Sequence, residues 1–317
     1  MKRRNENLSL RIGAQPSLLV ATRHEHTERP PVSDVVQQRP LTAADTSLLE
    51  TFLALHRDSS MFLRANVRRA GLTYQGLRGE ANYAGAFRDG RVVGVAAHCW
   101  NGMLLLQAPE HAAELARAAV EWSGRPITGL SGPLEQVRQA RSELELDSAD
   151  VALDGAEWLY ALDLSQLVVP EPLSNGTVVC RPPRPEERDA LCAWRLAYDI
   201  ELLGATDSPS TRRCSEEFLD AQIAEGNAWV AVVDNTPVSL SAFNAVLPDI
   251  VQLGGIYTPP ALRGRGFAKV AVAASLLVAR DRGSSRAVLF TNNPGAARAY
   301  EAIGFRRIGD YSLVLLR

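Results

Sequence analysis

The chain has 317 residues, 46% of them hydrophobic, and its 34 basic and 36 acidic side chains give a formal net charge of −2. This length is enough for two domains of common size. A chain so close to neutrality has no overall field that would attract nucleic acid or an anionic membrane. The apolar stretch 270–279, interrupted by Ser275, is about half as long as a membrane span. We therefore expect two domains, no nucleic-acid partner and no membrane partner.

The cysteines and histidines give no metal-binding pattern. The four cysteines show no C-x-x-C spacing, and the five histidines all lie in the first half of the chain. Cysteines placed in this way are usually small buried hydrophobes, and unpaired thiols are typical of a reducing compartment. We expect no metal site, no catalytic cysteine and a cytoplasmic location.

Three segments precede the second half of the chain. Residues 1–40 mix arginine, histidine, proline and acidic residues without periodicity, and no apolar segment follows the early basic residues. This composition predicts a disordered tail and not a targeting peptide. Residues 41–168 contain a strand–turn–strand pattern from Tyr83 and are assigned to a first domain. The proline, serine, asparagine and glycine residues of 169–176 are typical of a linker.

Residues 177–317 form the second predicted domain. Their periodicity predicts a strand, two amphipathic helices, three strands, a helix, a strand, a helix and a final strand, which indicates an α/β fold with a mixed sheet. The predicted elements are, in order, Thr177–Arg181, Pro185–Leu203, Thr211–Glu225, Ala228–Val233, Val238–Ala245, Ile250–Tyr257, Phe267–Arg282, Ala287–Thr291, a helix that starts after Pro294, and Tyr311–Arg317.

A glycine-rich turn joins the strand Ile250–Tyr257 to the helix that begins at Phe267. Gly264 and Gly266 lack a Cβ atom, so the turn can adopt positive φ angles and let backbone N–H groups approach a ligand. The start of the following helix adds unpaired N–H donors and the positive end of the helix dipole. The sequence therefore predicts an anion site at this turn.

The spacing of the turn excludes two common nucleotide motifs. A Walker A loop needs four residues between its glycines and then Lys-Ser/Thr, and a dinucleotide fingerprint needs a third glycine where Phe267, Ala268 and Lys269 stand. A P-loop hydrolase and a dinucleotide-dependent oxidoreductase are therefore not favoured. Arg263, Arg265 and Lys269 add positive charge around the turn.

Two signatures in the second half carry a family resemblance. Arg263, Gly266 and Ala268 form the pattern Arg-x-x-Gly-x-Ala, and one helix and one strand later Asn293 and Tyr300 belong to the pattern Asn-x6-Tyr-x3-Gly-Phe. Together they resemble the signatures of the GNAT superfamily of acyl-CoA N-acyltransferases, the first of which binds pyrophosphate. The resemblance covers the whole of the second predicted domain.

The first half is similar to a degenerate copy of the second. The pattern from Tyr83 aligns with that from Trp229, and the segment from Gly132 aligns with that from Asn293. In place of the glycine-rich turn, the first half has the acidic segment 107–114. Chance similarity of two α/β segments remains the alternative. The whole chain resembles two-domain predicted acetyltransferases whose C-terminal half is akin to glycine N-acyltransferases. This resemblance implies tandem GNAT-like domains, of which the first is degenerate and only the second binds CoA.

The resemblance also implies an activity and a binding site. The activity is transfer of an acetyl group from acetyl-CoA, the acyl donor, to a primary amine of a small molecule or amino acid, without a metal. In the superfamily the strand before the turn splays from the next strand and pairs with the pantetheine arm, and two adjacent glycines in that strand fit a close backbone approach. The implied CoA-binding residues are Gly255, Ile256, Tyr257, Arg263, Gly264, Arg265, Gly266, Phe267, Ala268, Lys269 and Asn293.

Two further implied roles have structural alternatives. The resemblance places Asn293 against the pantetheine arm, but an asparagine before Pro294 could equally cap the next helix. It places Tyr300 beside the CoA sulfur as the catalytic acid, because a phenol can return a proton to a thiolate of comparable basicity. Tyr300 could instead be a core side chain, which is the favoured role for Phe305.

The general base has several candidates. The strand Ile250–Tyr257 has no carboxylate, although many relatives carry one there. Tyr198, Asp199 and Glu201 lie near the end of a predicted helix, in the region that lines the acceptor site of the superfamily, and Glu201 is the preferred catalytic candidate. A water chain as the base and a plain solvated helix face remain alternatives.

A non-catalytic acyl-CoA-binding sensor or scaffold is the alternative function. It would keep the glycine turn without turnover. The missing strand carboxylate favours this function, and Tyr300 argues against it. Release of the CoA thiol would separate the two functions.

Overall fold

The computed structural model describes residues 36–317. Of the predicted tail, residues 1–35 lie outside the described part of the chain. Gln37–Pro40 form a strand that pairs with residues 84–87, so regular structure begins before the predicted domain start at residue 41.

Both halves of the chain have the same order of elements. The first half contains β1 (Gln37–Pro40), α1 (Thr46–Leu55), α2 (Met61–Ala70), β2 (Ala81–Arg88), β3 (Arg91–Cys99), β4 (Met103–Gln107), α3 (Ala112–Ser123), β5 (Gly129–Pro133), α4 (Leu134–Glu143) and β6 (Val151–Asp163). After the short helix α5 (Glu171–Ser174), the second half contains β7 (Val179–Arg181), α6 (Arg188–Leu203), α7 (Pro209–Ala224), β8 (Ala228–Val233), β9 (Thr236–Val246), β10 (Ile250–Tyr257), α8 (Phe267–Asp281), β11 (Arg286–Thr291), α9 (Pro294–Glu301) and β12 (Arg306–Leu316).

The α/β fold and its mixed sheet are as predicted, and the elements of the second half occur in the predicted order. Ala228–Val233 and Ile250–Tyr257 have the predicted bounds. The last strand begins at Arg306 and not at Tyr311, and the predicted linker 169–176 contains α5. A proline at the first turn of a short helix is a normal start signal, which explains why the linker composition hid this element.

All described strands form one sheet of twelve, in the order β1-β2-β3-β4-β5-β12-β6-β11-β10-β9-β8-β7. The last strand of each half is exchanged. β12 lies between β5 and β6, and β6 lies between β12 and β11. Each half therefore completes the sheet of the other, and the sheet does not divide at the predicted linker.

The helices cover both faces of the sheet. Along β9, Leu240 and Ala242 pack with α6 and α7, while Phe243 packs in the cluster of α8 and α9, because successive side chains on a strand point to opposite faces. Met61 of α2 packs with Ile250 on the α6 side. Within residues 36–317, none of these helices combines the length and the apolar composition that a membrane crossing requires.

Candidate active site

The second half contains a gap between two neighbouring parallel strands. β10 and β11 are in register only over Ile250–Gln252 and Arg286–Val288. Beyond these residues, in the part of the chain that the structure describes, the two strands share no further pairs, although β11 stays paired with β6 as far as Thr291. We call the gap between residues 253–257 and 289–291 the wedge. It is the splay that the resemblance implies.

A bulge in β10 lies at one wall of the wedge. The register between β10 and β9 shifts between Gly254 and Tyr257, which takes Gly255 and Ile256 out of the regular ladder. Gly255 has φ +64°, and a Cβ atom at Gly254 would lie 1.9 Å from Nδ2 of Asn244. Gly255 is therefore required by its backbone conformation, whereas a side chain at Gly254 would displace the exposed side chain of Asn244.

The glycine turn follows directly after β10. Gly264 and Gly266 both have φ +79°, and Gly266 is the N-cap residue of α8. Gly266 has no side chain that could cap the helix, so the first-turn N–H groups of α8 are left to an external acceptor. At Gly264 a Cβ atom would meet nothing within 4 Å, so this glycine is required by its positive φ angle and not by lack of space.

The three cations of the turn have different surroundings. The Arg263 guanidinium donates two hydrogen bonds of 2.7 Å to the carboxylate of Glu201 on α6 and one of 2.9 Å to the carbonyl oxygen of Thr258. Arg265 and Lys269 have no ion-pair partner in residues 36–317. Arg263 therefore links the turn to α6. The positive charge that is open to an anion comes from Arg265 and Lys269.

Glu201, the predicted base, is the carboxylate of this ion pair with Arg263. The Arg263 guanidinium holds the pKa of Glu201 below its usual range. A carboxylate with a lowered pKa and two hydrogen bonds to an arginine is a weak proton acceptor. The geometry therefore favours a role in fixing the turn over the predicted role as base.

Asp199, the second carboxylate of α6, is also engaged. It is 8% exposed and accepts hydrogen bonds from Arg195, at 2.7 and 3.2 Å, and from Oγ of Ser215, at 2.5 Å. The Arg195 guanidinium stacks on the ring of Phe218 at 3.9 Å and lies against the bulge, where Nη1 would be 3.0 Å from a Cβ atom at Gly255. Asp199 thus orients Arg195 toward the wedge.

Tyr300 lies on α9 at the other face of the sheet. It is 7% exposed and meets Phe305 edge-on, with ring centroids 6.1 Å apart. Burial raises the pKa of Tyr300, and the nearby Tyr198 adds to this effect. Phe305 is a core residue, as predicted. Tyr300 packs in the same cluster, so its packing role is present in the structure.

Tyr198 and Tyr300 approach each other from opposite faces of the sheet. Tyr198 lies on α6 and Tyr300 on α9, and the phenol of Tyr198 contributes to the raised pKa of Tyr300. Burial raises the pKa of Tyr198, while the Arg195 guanidinium and a hydrogen bond from the Gly255 amide act in the opposite direction. This influence requires that the two phenols lie near each other, although their helices cover opposite faces of the sheet.

Asn293 caps α9. Its Oδ1 atom accepts hydrogen bonds from the amides of Gly295, at 2.8 Å, and Ala296, at 3.2 Å. The capping alternative from the sequence is therefore realised. The side-chain NH2 group has no hydrogen bond within the described residues and stays open to a ligand.

Glu157 lies one position beyond the end of the β6–β11 ladder and was not among the residues predicted from sequence. It lies on β6, the exchanged strand from the first half, and its charge influences Tyr198 of α6. All of the site residues predicted from sequence lie in residues 177–317. The available signal was a carboxylate inside the otherwise apolar end of a strand, directly before Trp158, Leu159 and Tyr160.

The corresponding place in the first half is closed. Its parallel strands β4 and β5 also share only three pairs, but they stay close beyond them, since a Cβ atom at Gly132 would lie 2.8 Å from the carbonyl oxygen of Leu106. The strand β4 pairs with β3 without a register shift, and the amide of Ala108, in the loop after β4, donates a 2.7 Å hydrogen bond to Oε1 of Gln136. The side chain of Gln107 is 2% exposed and accepts a hydrogen bond of 2.7 Å from Oγ of Ser59. Side chains of the protein therefore occupy the place that corresponds to the wedge.

Solved structures share this architecture over most of the chain. A Drosophila protein has a TM-score of 0.61 at 13% identity and covers 88% of this chain and 98% of its own. A GCN5-related N-acetyltransferase from Sphaerobacter thermophilus has a TM-score of 0.55 at 16% identity, and the match covers 89% of this chain and 96% of that one. A tandem GNAT protein from the clavulanic acid biosynthesis pathway has a TM-score of 0.51 at 14% identity, and the match covers 88% of this chain and 97% of that one. At these identities the likeness shows the fold alone.

Sequence comparison identifies the second half more specifically. A segment of 60 residues is 43% identical to an acetyltransferase of Agrobacterium fabrum. The aligned segment is 19% of this chain and 42% of that protein. Residues 191–305, which include the bulge, the glycine turn and Tyr300, match the acetyltransferase (GNAT) family. This matched segment lies within the second half, which is therefore the part of the chain that is similar in sequence to GNAT acetyltransferases.

Proposed function

We propose that the protein transfers an acetyl group from acetyl-CoA to a primary amine of a small molecule or amino acid, at the wedge of the second half. One observation carries this proposal. The wedge between β10 and β11 is followed directly in the chain by the glycine turn and by the start of α8, so a strand edge that is open to pairing lies next to an anion site.

The glycine turn would hold the pyrophosphate of acetyl-CoA. The backbone amides of 263–268 and the side chains of Arg265 and Lys269 supply the donors and the charge, and the dipole of α8 adds about 0.3–1 kcal/mol. The pantetheine arm would enter the wedge and extend β10 in place of the missing β11 partner. Its amide groups would meet the backbone of Gly255–Tyr257 and the free NH2 group of Asn293.

The thioester would lie beside Gly255. Arg195 lies next to the bulge, so its guanidinium would stabilise negative charge on the thioester oxygen during attack by the amine. When the C–S bond breaks, the Tyr300 hydroxyl gives its proton to the departing thiolate. Burial raises the basicity of a thiolate as it raises that of a phenolate, so the two groups remain matched inside the wedge.

The experiment is a screen of the full chain with acetyl-CoA and a panel of primary amines and amino acids. CoA thiol and N-acetylated product are measured together, by absorbance and mass spectrometry. Thiol release in equal amount with an N-acetylated amine supports the proposal. Saturable binding of acetyl-CoA without product from any amine would contradict it and favour the sensor or scaffold function.

A further inference from the structure

We propose that Glu157, carried by β6 from the first half, is the general base that accepts the proton of the acceptor ammonium. The inference rests on the proposed function, because it assigns a residue to that reaction. It also gives the first half, which lacks a wedge of its own, a direct part in catalysis.

The strand exchange brings Glu157 to the open end of the wedge. Trp158 of β6 pairs with Thr291, the last residue of β11, so Glu157 lies one position beyond the end of that ladder. On its other side Glu157 is in register with Tyr311 of β12. The residue is therefore at the level where β10 and β11 are apart.

Glu157 and Tyr300 belong to opposite faces of the sheet. Glu157 shares its face with Leu159 and Ala161, which pack in one cluster with Met61 of α2, whereas Tyr160 packs in the cluster of Tyr300. The Glu157 face is the face of α6, where Tyr198 lies. A thioester in the wedge would thus have a carboxylate on one side and the phenol of Tyr300 on the other.

The surroundings of Glu157 suit a base. Burial raises its pKa, and its side chain is partly exposed, so it stays within reach of a substrate. The titratable groups that sense its charge are the phenols of Tyr198 from α6 and Tyr311 from β12, and burial raises the pKa of Tyr311 to about 12. In residues 36–317 no cation pairs with Glu157. Glu201 and Asp199, by contrast, are each bound by an arginine.

The protons balance in this scheme. Glu157 takes one proton from the ammonium, and the free amine attacks the thioester carbon. The C–S bond breaks, and the thiolate takes the proton of Tyr300. The nitrogen of the new amide loses its surplus proton to the Tyr300 phenolate, and Glu157 releases its proton to solvent. The net products are the amide, the CoA thiol and one proton.

The test compares Glu157→Gln with Asp154→Asn, an exposed carboxylate on the same strand. With acetyl-CoA and the amines accepted in the screen, we expect Glu157→Gln to lower kcat at neutral pH by roughly 10²–10⁴-fold, the usual range for a positioned base. Calorimetric affinity for acetyl-CoA should be unchanged, and Asp154→Asn should keep full activity. The deficit should shrink as the pH passes the pKa of the amine, because solvent then removes the proton. Full activity of a folded Glu157→Gln protein would overturn the inference.

A second measurement needs no acceptor. A carboxylate whose pKa is raised in the folded state opposes folding once it ionises, and this cost is absent below the unfolded pKa and complete above the folded pKa. Glu157→Gln should therefore melt at a higher temperature than the parent at neutral pH, and the difference should vanish toward pH 4. If no amine is acetylated, the proposed function fails, whereas this measurement still reports on Glu157. Equal pH dependence of the two melting curves would overturn the assignment of Glu157 as a base.

Discussion

The two halves have the same order of elements and differ where the fourth strand meets the following helix. In the second half β10 contains a bulge at Gly255, and the turn after it has two glycines at φ +79°. In the first half β4 is regular, and the amide of Ala108 is already bonded to Gln136. Both halves thus have a helix start without a capping side chain, and they differ in the bulge and in the two glycines that the second half has at this place.

The half without a wedge also supplies a strand beside the proposed site. β6 forms a wall next to β11 and carries Glu157, so the site of the second half depends on a strand of the first. The two halves are further joined by ion pairs that cross between them, such as Arg286 with Asp58 at 2.7 Å and Arg64 with Asp249 at 3.4 Å. A prediction made for one half therefore has to consider the other.

Removal of β6 should have the largest effect. A protein of residues 170–317 lacks the strand that pairs with both β11 and β12, and two unpaired strand edges would be exposed. We expect it to aggregate or to melt without cooperativity, and we expect residues 149–317, which restore β6, to be more soluble. Size-exclusion chromatography and thermal melting of both fragments test this. A cooperative monomer of residues 170–317 would contradict the importance of the exchange.

Gly264→Val should abolish acetyl-CoA binding. A β-branched residue at φ +79° forces the turn to rearrange, and the amides that face the pyrophosphate then point elsewhere. We expect an affinity loss of at least roughly 100-fold, equivalent to about 2.7 kcal/mol. Gly90→Val is the matched control, because Gly90 has φ +73° and open space but lies in the turn between β2 and β3. Similar affinity losses in the two variants would show that strain, and not the site, is responsible.

Tyr300→Phe separates acid catalysis from packing. The change removes one hydroxyl and keeps the ring against Phe305, so kcat should fall by roughly 10²–10⁴-fold while KM for acetyl-CoA barely moves. Tyr300→Ala should in addition destabilise the protein by about 3–5 kcal/mol, as expected for a buried aromatic residue. Steady-state rates and melting curves decide. Parental activity in a folded Tyr300→Phe protein would leave Tyr300 a packing residue.

Glu201→Gln should have the smallest effect. The side chains of Glu201 and Arg263 are 40% and 43% exposed. An ion pair this exposed contributes about 0–1 kcal/mol to the stability of the fold. Since the pKa of Glu201 is lowered, its contribution is present above the ordinary glutamate pKa and is lost as the pH falls through the folded value. We expect kcat within about threefold of the parent, because a surface ion pair of this size is removed and no proton acceptor is lost. A fall of about 10²-fold or more would instead support the base role predicted from sequence.

The sequence predicted the features that depend on local patterns. The alternation of apolar residues marked Ile250–Tyr257, and the glycines at 264 and 266 marked a turn with positive φ angles. The capping role of Asn293 was one of two predicted alternatives, because Pro294, which follows directly, is a common first residue of a helix. These features are set by neighbours in the chain, which is why they could be read from one sequence.

The remaining features depend on contacts between distant residues. Nothing local in residues 151–163 indicates that they pair with β11 and β12 and not with their own half, since an apolar strand fits either place. The pairing of Glu201 with Arg263 likewise follows from the approach of α6 to the glycine turn, 62 positions apart in sequence. The role of Glu201 as the base stays a prediction, and one sequence could not decide it, because the charge state of a carboxylate is decided by its neighbours in space.

The central claim is that the two halves share one fold and that only the second half binds acetyl-CoA. Titration calorimetry of the full chain with acetyl-CoA tests this most directly. We predict a stoichiometry of one acetyl-CoA per chain, with binding lost in Gly264→Val and retained in Gly90→Val. Two acetyl-CoA molecules per chain, or one that still binds to the folded Gly264→Val protein, would contradict the claim.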